Sequence, residues 1–270
     1  MDSSLIAFIG GGNMAGAIMG GLVKAGHSPQ SIVVVEPAEA QRDNLLRQYG
    51  VRTLPSPDGT LSEAKLVVWA VKPQSFREAA APCAAYVAQA LHLSVMAGIR
   101  SDAIVQATGS QRVVRAMPNT PALIGRGISG LFARPAVDEA DRALVEQVLQ
   151  PTGARCWVQH ERDLDAVTAL SGSGPAYVFY VVEAMMQAAA DMGLSEAQGR
   201  QLVLCTFEGA TALAQQSADP PSVLRERVTS KGGTTHAALQ SLEADGVKQS
   251  FVKALMAALR RAEELGQQFG

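Results

Sequence analysis

The chain has 270 residues, of which 47% are hydrophobic, 5% aromatic and 18% charged, with a formal net charge of −2. This length exceeds the ~100–200 residues of one typical domain and predicts two, with enough apolar material for substantial cores and too little charge for disorder. Scattered charges without a Lys/Arg run exclude nucleic-acid binding by phosphate neutralisation, and no stretch approaches the ~20 apolar residues of a membrane span.

The opening Met1-Asp2-Ser3-Ser4 carries no basic segment of the kind that starts a secretory signal. Residues 5–9 (Leu-Ile-Ala-Phe-Ile) form a short apolar run ending in glycines, the pattern of a strand buried on both faces. A helix is expected from Asn13 to Ala25, with Gly26 suited to its stop. A second buried strand follows at residues 32–35, then a polar-faced helix at 38–48. The run Leu66-Val67-Val68-Trp69-Ala70-Val71 predicts a third strand, ending at Lys72-Pro73. Helical stretches at 74–90 and 101–107 alternate with strands at 91–95 and 112–117, and residues 128–132 with a helix at 138–149 complete the set. Such alternation predicts an α/β fold, a Rossmann-type doubly wound sheet covered by helices.

After about residue 160 the pattern turns helical. Helices are expected at 175–192, at 196–215 behind the capping box Ser195-Glu196-Ala197-Gln198, and near 234–243 and 247–267, with Pro220-Pro221 breaking the chain between. The boundary falls at 160, giving a dinucleotide-binding domain over 1–160 and an all-helical dimerisation and substrate domain over 161–270. Two of these helices are apolar around their whole circumference, through Val178, Phe179, Val182 and Met185 in one and Leu202, Val203, Leu204 and Phe207 in the other. A helix of that kind must be buried on more than one side, which predicts an intimate homodimer.

The chemistry-bearing motifs begin with Gly10-x-Gly12-x-x-Ala15, between a buried strand and a helix. Gly10 permits the tight turn, Gly12 the approach of a pyrophosphate, and Ala15 close helix–strand packing, with helix N-terminal amides facing the phosphates. Glu36 closes the second strand, where a carboxylate accepts hydrogen bonds from the adenosine ribose; this favours NADH over NADPH, although Glu36 also suits the start of the next helix and Arg42 is one turn on. Ala70-Val71-Lys72-Pro73 and Met96-Ala97-Gly98 end two further strands, the place where α/β sheets bind ligands. In Arg115-Ala116-Met117-Pro118-Asn119-Thr120-Pro121 the two prolines around Asn-Thr predict a rigid turn at a strand end, either a plain structural turn or one that shapes the pocket floor. Leu170-Ser171-Gly172-Ser173-Gly174-Pro175 and Ser230-Lys231-Gly232-Gly233-Thr234-Thr235 each precede a helix and offer amides and hydroxyls to an anion, either as ordinary caps or as a substrate-carboxylate site. Cys83, Cys156 and Cys205 are far apart and odd in number, which fits the reduced thiols of a cytoplasmic protein. The four isolated histidines predict no metal site.

This ordered set of motifs resembles the pyrroline-5-carboxylate reductase family over nearly the whole chain, most specifically at Val228-Thr229-Ser230-Lys231-Gly232-Gly233-Thr234-Thr235. The resemblance implies hydride transfer from NADPH or NADH to L-1-pyrroline-5-carboxylate, giving L-proline, by a homodimer that can assemble into a decamer. It implies that Ile9, Gly10, Gly11, Gly12, Asn13, Met14, Ala70, Val71, Lys72, Pro73, Met96 and Ala97 line the cofactor beside Glu36. It further implies that Ser230, Gly232, Gly233 and Thr234 hold the substrate carboxylate with Ser173 and Gly174, and that the Thr235 hydroxyl contacts the ring nitrogen. Lys231 stands where many members have Pro, and Ala218-Asp219 departs from the common pattern, so no role is carried to those positions. A β-hydroxyacid dehydrogenase, which would need a catalytic Lys on a helix, and a non-catalytic dinucleotide sensor are the alternative readings.

Overall fold

In the computed structural model, residues 4–269 are described. Of the opening segment, Met1-Asp2-Ser3 therefore lies outside the described residues. The chain divides into two compact units, one formed by Met1–Pro175 with Ala258–Gly270 and the other by Ala176–Ala257.

The first unit is built on an eight-stranded sheet. In chain order its elements are β1 (Leu5–Ile9), α1 (Asn13–Lys24), β2 (Ile32–Val35), α2 (Glu39–Tyr49), β3 (Arg52–Leu54) and β4 (Ala64–Trp69). Then come α3 (Phe76–Ala80), α4 (Ala84–Val87), β5 (Leu91–Ser94), α5 (Ser101–Thr108), β6 (Val113–Met117), β7 (Gly127–Ala133), α6 (Glu139–Leu149) and β8 (Gly153–Trp157). The strand order is β3-β2-β1-β4-β5-β6-β7-β8. All neighbours are parallel except β6 and β7. From β1 the sheet grows one way through β2 and β3 and the other way from β4 onward, and this switch in strand order between the parallel β1 and β4 opens the crevice at which such sheets bind dinucleotides.

The apolar strands lie between two cores. On one face Phe8, Val34 and Val68 pack with Ile18, Met19 and Leu22 of α1. On the other, Val33, Val67 and Trp69 pack with Phe76, Val87 and Ile104. Alternate residues of each strand thus point into different cores, which is why the strands read as continuous apolar runs. Trp69 donates its indole N–H to Nδ1 of His92 at 3.0 Å, and burial pushes the His92 imidazole down to about 4.

Several sequence expectations need correction. The third strand runs two residues earlier than 66–71, so that Ala70 and Val71 leave it and join the loop. The expected helix 74–90 is broken into a 3-10 turn at Pro73–Ser75 and the short helices α3 and α4. Pro82 stands between them, where it has no N–H for a helical ladder. The edge strands β3 and β8 escaped the sequence pattern because neither is a run of buried side chains, and β3 is also short.

After the sheet come α7 (Asp163–Val167), α8 (Gly174–Asp191), α9 (Glu196–Gln216), α10 (Pro221–Arg227), α11 (Thr234–Ala244) and α12 (Val247–Phe269). The predicted capping box is formed: Ser195 Oγ accepts the Gln198 N–H, and the Gln198 side chain accepts the Ser195 N–H. Pro221 begins α10 rather than only breaking the chain. In the second unit Phe179, Tyr180, Leu202 and Leu213 remain exposed in the single chain. Among the described residues no helix is long and apolar enough to cross a membrane.

Candidate active site

The glycine turn has the shape its spacing predicts. Gly10 adopts φ +94°, and a Cβ there would lie 2.8 Å from the Ala70 carbonyl oxygen, so the turn is pressed against the end of β4. A Cβ on Gly11 would lie 2.5 Å from Leu45 Cδ1. At Gly12 a Cβ would meet nothing within 4 Å. Two of the three glycines are therefore needed by the protein's own packing, whereas the third faces open space. Gly12 is also the N-cap of α1 and makes no side-chain cap, so the first amides of α1 are left for an external acceptor. Ala15 is fully buried against the sheet.

This turn forms the floor of a cavity of about 560 Å³. Of the residues singled out from sequence, Ile9, Gly10, Gly11, Gly12, Glu36, Ala70, Val71 and Lys72 line it. Asn13 and Met14 belong to the first turn of α1 and Pro73 to the 3-10 turn after Lys72. Met96 and Ala97 are on the loop after β5, outside that lining, with Met96 buried and its N–H 3.3 Å from Ser94 Oγ. The cavity also has walls that the sequence did not disclose: Pro55, Ser56 and Pro57 after β3, with Pro37, Ala79 and Pro82. The two Pro residues flanking Ser56, just beyond the edge strand, were the available signal.

Glu36 holds both sides of its carboxylate in hydrogen bonds. Oε2 accepts the Gly11 N–H and Oε1 the Ala38 N–H, each at 3.0 Å. Gln41 donates to the Gly11 carbonyl at 2.6 Å. Arg42 donates to the carbonyls of Glu36 and Pro37 at 2.9 and 2.7 Å.

The segment 170–175 corrects the expectation of an open helix start. A π-helical turn over Thr168–Gly172 follows α7 directly, and the Ser173 N–H donates to the Thr168 carbonyl at 2.8 Å. Thr168 and Ser171 turn their hydroxyls back onto the carbonyls of Leu164 and Val167, which keeps these polar residues inside a helix rather than at its cap. The Ser173 amide is accordingly spent within the chain. The Arg115–Pro121 stretch is what holds this turn: Asn119 donates to the Ser171 carbonyl at 3.2 Å, and its Oδ1 accepts the Ile128 N–H at 3.0 Å. A Cβ on Gly172 would lie 2.7 Å from the Met117 methyl.

Behind the turn lies an ionic cluster unseen in the sequence. Buried Arg115 pairs with Glu161 at 2.8 Å, and burial lowers its guanidinium from the ordinary value although Glu161 acts in the opposite direction. Glu161 also accepts the N–H and hydroxyl of Ser101 at the start of α5. Arg100 pairs with Asp165 at 2.6 Å. These bonds tie β6, α5 and α7 together and give Arg115 a structural employment.

In the second unit, the 230–235 loop opens α11 as expected. Gly233 is the N-cap, with its N–H on the Ser230 carbonyl and no side-chain cap, while Gly232 adopts φ +79°. Thr234 and Thr235 are the first two helical residues, so their amides lack helical acceptors. Thr235 is half-buried, and Ser230, Lys231 and Thr234 are exposed. Among the described residues no three His, Cys, Asp or Glu converge as metal ligands.

A family model described as pyrroline-5-carboxylate reductase dimerisation matches residues 161–265, and one described as NADP oxidoreductase, coenzyme F420-dependent, matches residues 5–98. The chain is 40% identical over 274 residues to the pyrroline-5-carboxylate reductase of Pseudomonas aeruginosa, with 100% of each covered. A solved pyrroline-5-carboxylate reductase from Coxiella burnetii superimposes with a TM-score of 0.90 at 36% identity, covering 98% of this chain and 99% of that one. The pyrroline carboxylate reductase of Plasmodium falciparum, solved with NADP bound, gives a TM-score of 0.89 at 27% identity over 98% and 99% of the two chains.

Proposed function

This chain belongs to the pyrroline-5-carboxylate reductase family, and from that premise we propose how its residues divide the work of reducing L-1-pyrroline-5-carboxylate to L-proline, the last step of proline biosynthesis. It is an NAD(P)H-dependent oxidoreductase that oligomerises. The observation that carries the site assignment is the glycine turn at the sheet's switch point, crowded at Gly10 and Gly11 and open at Gly12.

The residues present fit a dinucleotide. The amides of Gly12, Asn13 and Met14 hold the pyrophosphate at the start of α1, with Gly10 and Gly11 shaping the turn beneath. Glu36 takes the adenosine ribose, and Pro55, Pro57, Ala79 and Pro82 supply an apolar slot for the base. Ile9, Ala70, Val71, Lys72, Pro73, Met96 and Ala97 bound the remainder. When bound, the reduced dinucleotide supplies the hydride.

A cyclic imine accepts hydride at carbon once its nitrogen is protonated, so the protein's task is to fix the ring and keep that proton in place. Ser230, Gly232, Gly233 and Thr234 hold the carboxylate, which the uncapped start of α11 favours as an anion site. For Ser173 and Gly174 only the family resemblance supports a substrate role, and with its amide on the Thr168 carbonyl Ser173 has its hydroxyl left to offer. The Thr235 hydroxyl hydrogen-bonds the ring nitrogen. Orientation of this kind supplies several kcal/mol of barrier lowering without a strong acid or base. A hydroxyacid dehydrogenase would need a catalytic Lys on a helix of the second domain, and Lys248 and Lys253 on α12 have no supporting motif, which favours the imine reading.

The assembly we propose is a homodimer through the 161–270 domain, extendable to a decamer, in the cytoplasm. The exposed apolar faces of α8 and α9 and the three free cysteines support this. The test is spectrophotometric: NAD(P)H should be oxidised with pyrroline-5-carboxylate and not with a β-hydroxyacid control. Oxidation with the hydroxyacid alone would reverse the assignment.

A further inference from the structure

The two candidate cofactors differ by one phosphate on the adenosine ribose, so preference must be decided where that ribose sits. Resting on the dinucleotide site proposed above, we infer that Glu36, clamped between the Gly11 and Ala38 amides, makes this enzyme select NADH and reject NADPH.

The clamp matters more than the charge alone. A carboxylate offers about four lone-pair positions. Gly11 takes one on Oε2 and Ala38 one on Oε1, leaving one on each oxygen. That arrangement matches two neighbouring ribose hydroxyls, both of which are donors. A 2′-phosphate brings only acceptors and negative charge to the same place. A free surface Glu could swing away from it. Glu36 cannot do so without abandoning two backbone amides, one of them in the phosphate turn itself.

Among the described residues that line the cavity, no cation stands beside Glu36. The charged residues lining the cavity are Glu36, Lys72 and Glu78. Lys72 follows β4, on the opposite side of β1 from β2, which Glu36 follows. Arg42 is near Glu36 but is absent from the lining, and one guanidinium nitrogen is bound to the carbonyls of Glu36 and Pro37. The site therefore combines an attractive element for the hydroxyls with a repulsive one for the phosphate, which is how specificity exceeds what contacts to one ligand provide. The Gly11 amide is also consumed by Glu36, so pyrophosphate binding falls to the amides that follow it.

Calorimetric titration of the full chain with NAD+ and with NADP+, without substrate, tests this apart from turnover. Wild-type protein should bind NAD+ at least about tenfold more tightly, a difference of about 1.4 kcal/mol. In Glu36→Gln, which keeps the shape and removes the charge, the gap should shrink to about threefold or less, chiefly through tighter NADP+ binding. Glu36→Ser serves as the second neutral variant should the first fold poorly. Equal or tighter NADP+ binding by the wild type overturns the inference. An unchanged ratio in a folded neutral variant, or equal loss of both ligands, also overturns it, since the carboxylate would then serve only the turn. Binding of neither dinucleotide by the wild type would refute the cofactor site itself, whereas binding of NAD+ without pyrroline-5-carboxylate reduction would leave this inference standing and remove the proposed activity.

Discussion

The sheet unit and the helical unit of this chain treat their apolar side chains in opposite ways. Around the sheet, Phe8, Ile18, Val67 and Trp69 are completely buried by helices that the same chain supplies. In Ala176–Ala257, by contrast, Phe179 is 61% exposed, Tyr180 72% and Leu213 68%. Both regions are rich in such residues, so composition does not separate them. What separates them is that parallel strands with crossover helices cover both faces of a sheet, whereas α8 and α9 present more apolar circumference than this unit covers. The first unit is complete as a folded core, while the second asks for a partner surface. That division also separates the proposed tasks, with cofactor recognition in the complete core and the Ser230–Thr235 imine loop in the unit that needs its partner.

The most severe break of that comparison is a charge on the uncovered face. Phe179→Glu with Leu202→Glu should abolish the dimer in sedimentation and remove nearly all reductase activity, while dinucleotide binding survives; a variant that stays dimeric would show that α8 and α9 are not the interface. Next, Thr235→Val should lower kcat roughly 10²–10³-fold, the scale of losing one positioned hydrogen-bonding group, with dinucleotide affinity unchanged. Comparable loss of cofactor binding would place Thr235 in a structural role instead.

A third experiment probes the complete core by pH. His92 is held neutral by burial, its folded value falling to about 4 from the ordinary 6.5. Between these values the unfolded chain binds the extra proton, so this contribution is fully present above pH 6.5 and is lost as pH falls through that interval to about 4. The shift corresponds to roughly 3 kcal/mol. Denaturant titrations from pH 7 to 4 should show this slope, and His92→Asn, which retains an acceptor for the Trp69 N–H, should flatten it. The smallest effect is expected at the C-terminal end of α12. A Cβ on Gly266 would overlap the Arg100 guanidinium, so Gly266→Ala must displace an Arg that is paired with Asp165. Overpacking of this kind should cost about 1–3 kcal/mol in denaturant unfolding; no change would mean that the guanidinium moves aside freely.

These features differ in how far they could be read without coordinates. The buried strands announced themselves because Leu5–Ile9 and Ile32–Val35 are apolar on both faces. The glycine turn was equally plain, since its spacing follows directly from a buried strand. Edge strands β3 and β8 were not, because half-covered strands carry mixed residues. The turn at Thr168–Gly172 misled for a local reason: Ser and Gly are favoured in loops, yet here backward hydrogen bonds keep them helical.

By itself the sequence determined the Rossmann alternation, the Gly10-x-Gly12-x-x-Ala15 turn, the family and the apolar character of α8 and α9. All of these are short-range patterns, in which residue type and spacing carry the physics. Only the tertiary structure decided that Pro55–Pro57 and Pro82 wall the cavity, that Arg115 is tied to Glu161, and that Glu36 is pinned by Gly11 and Ala38. The Gly11–Glu36 and Arg115–Glu161 contacts join residues 25 and 46 positions apart, and a separation of that kind is set by strand order and crossovers rather than by any local sequence preference.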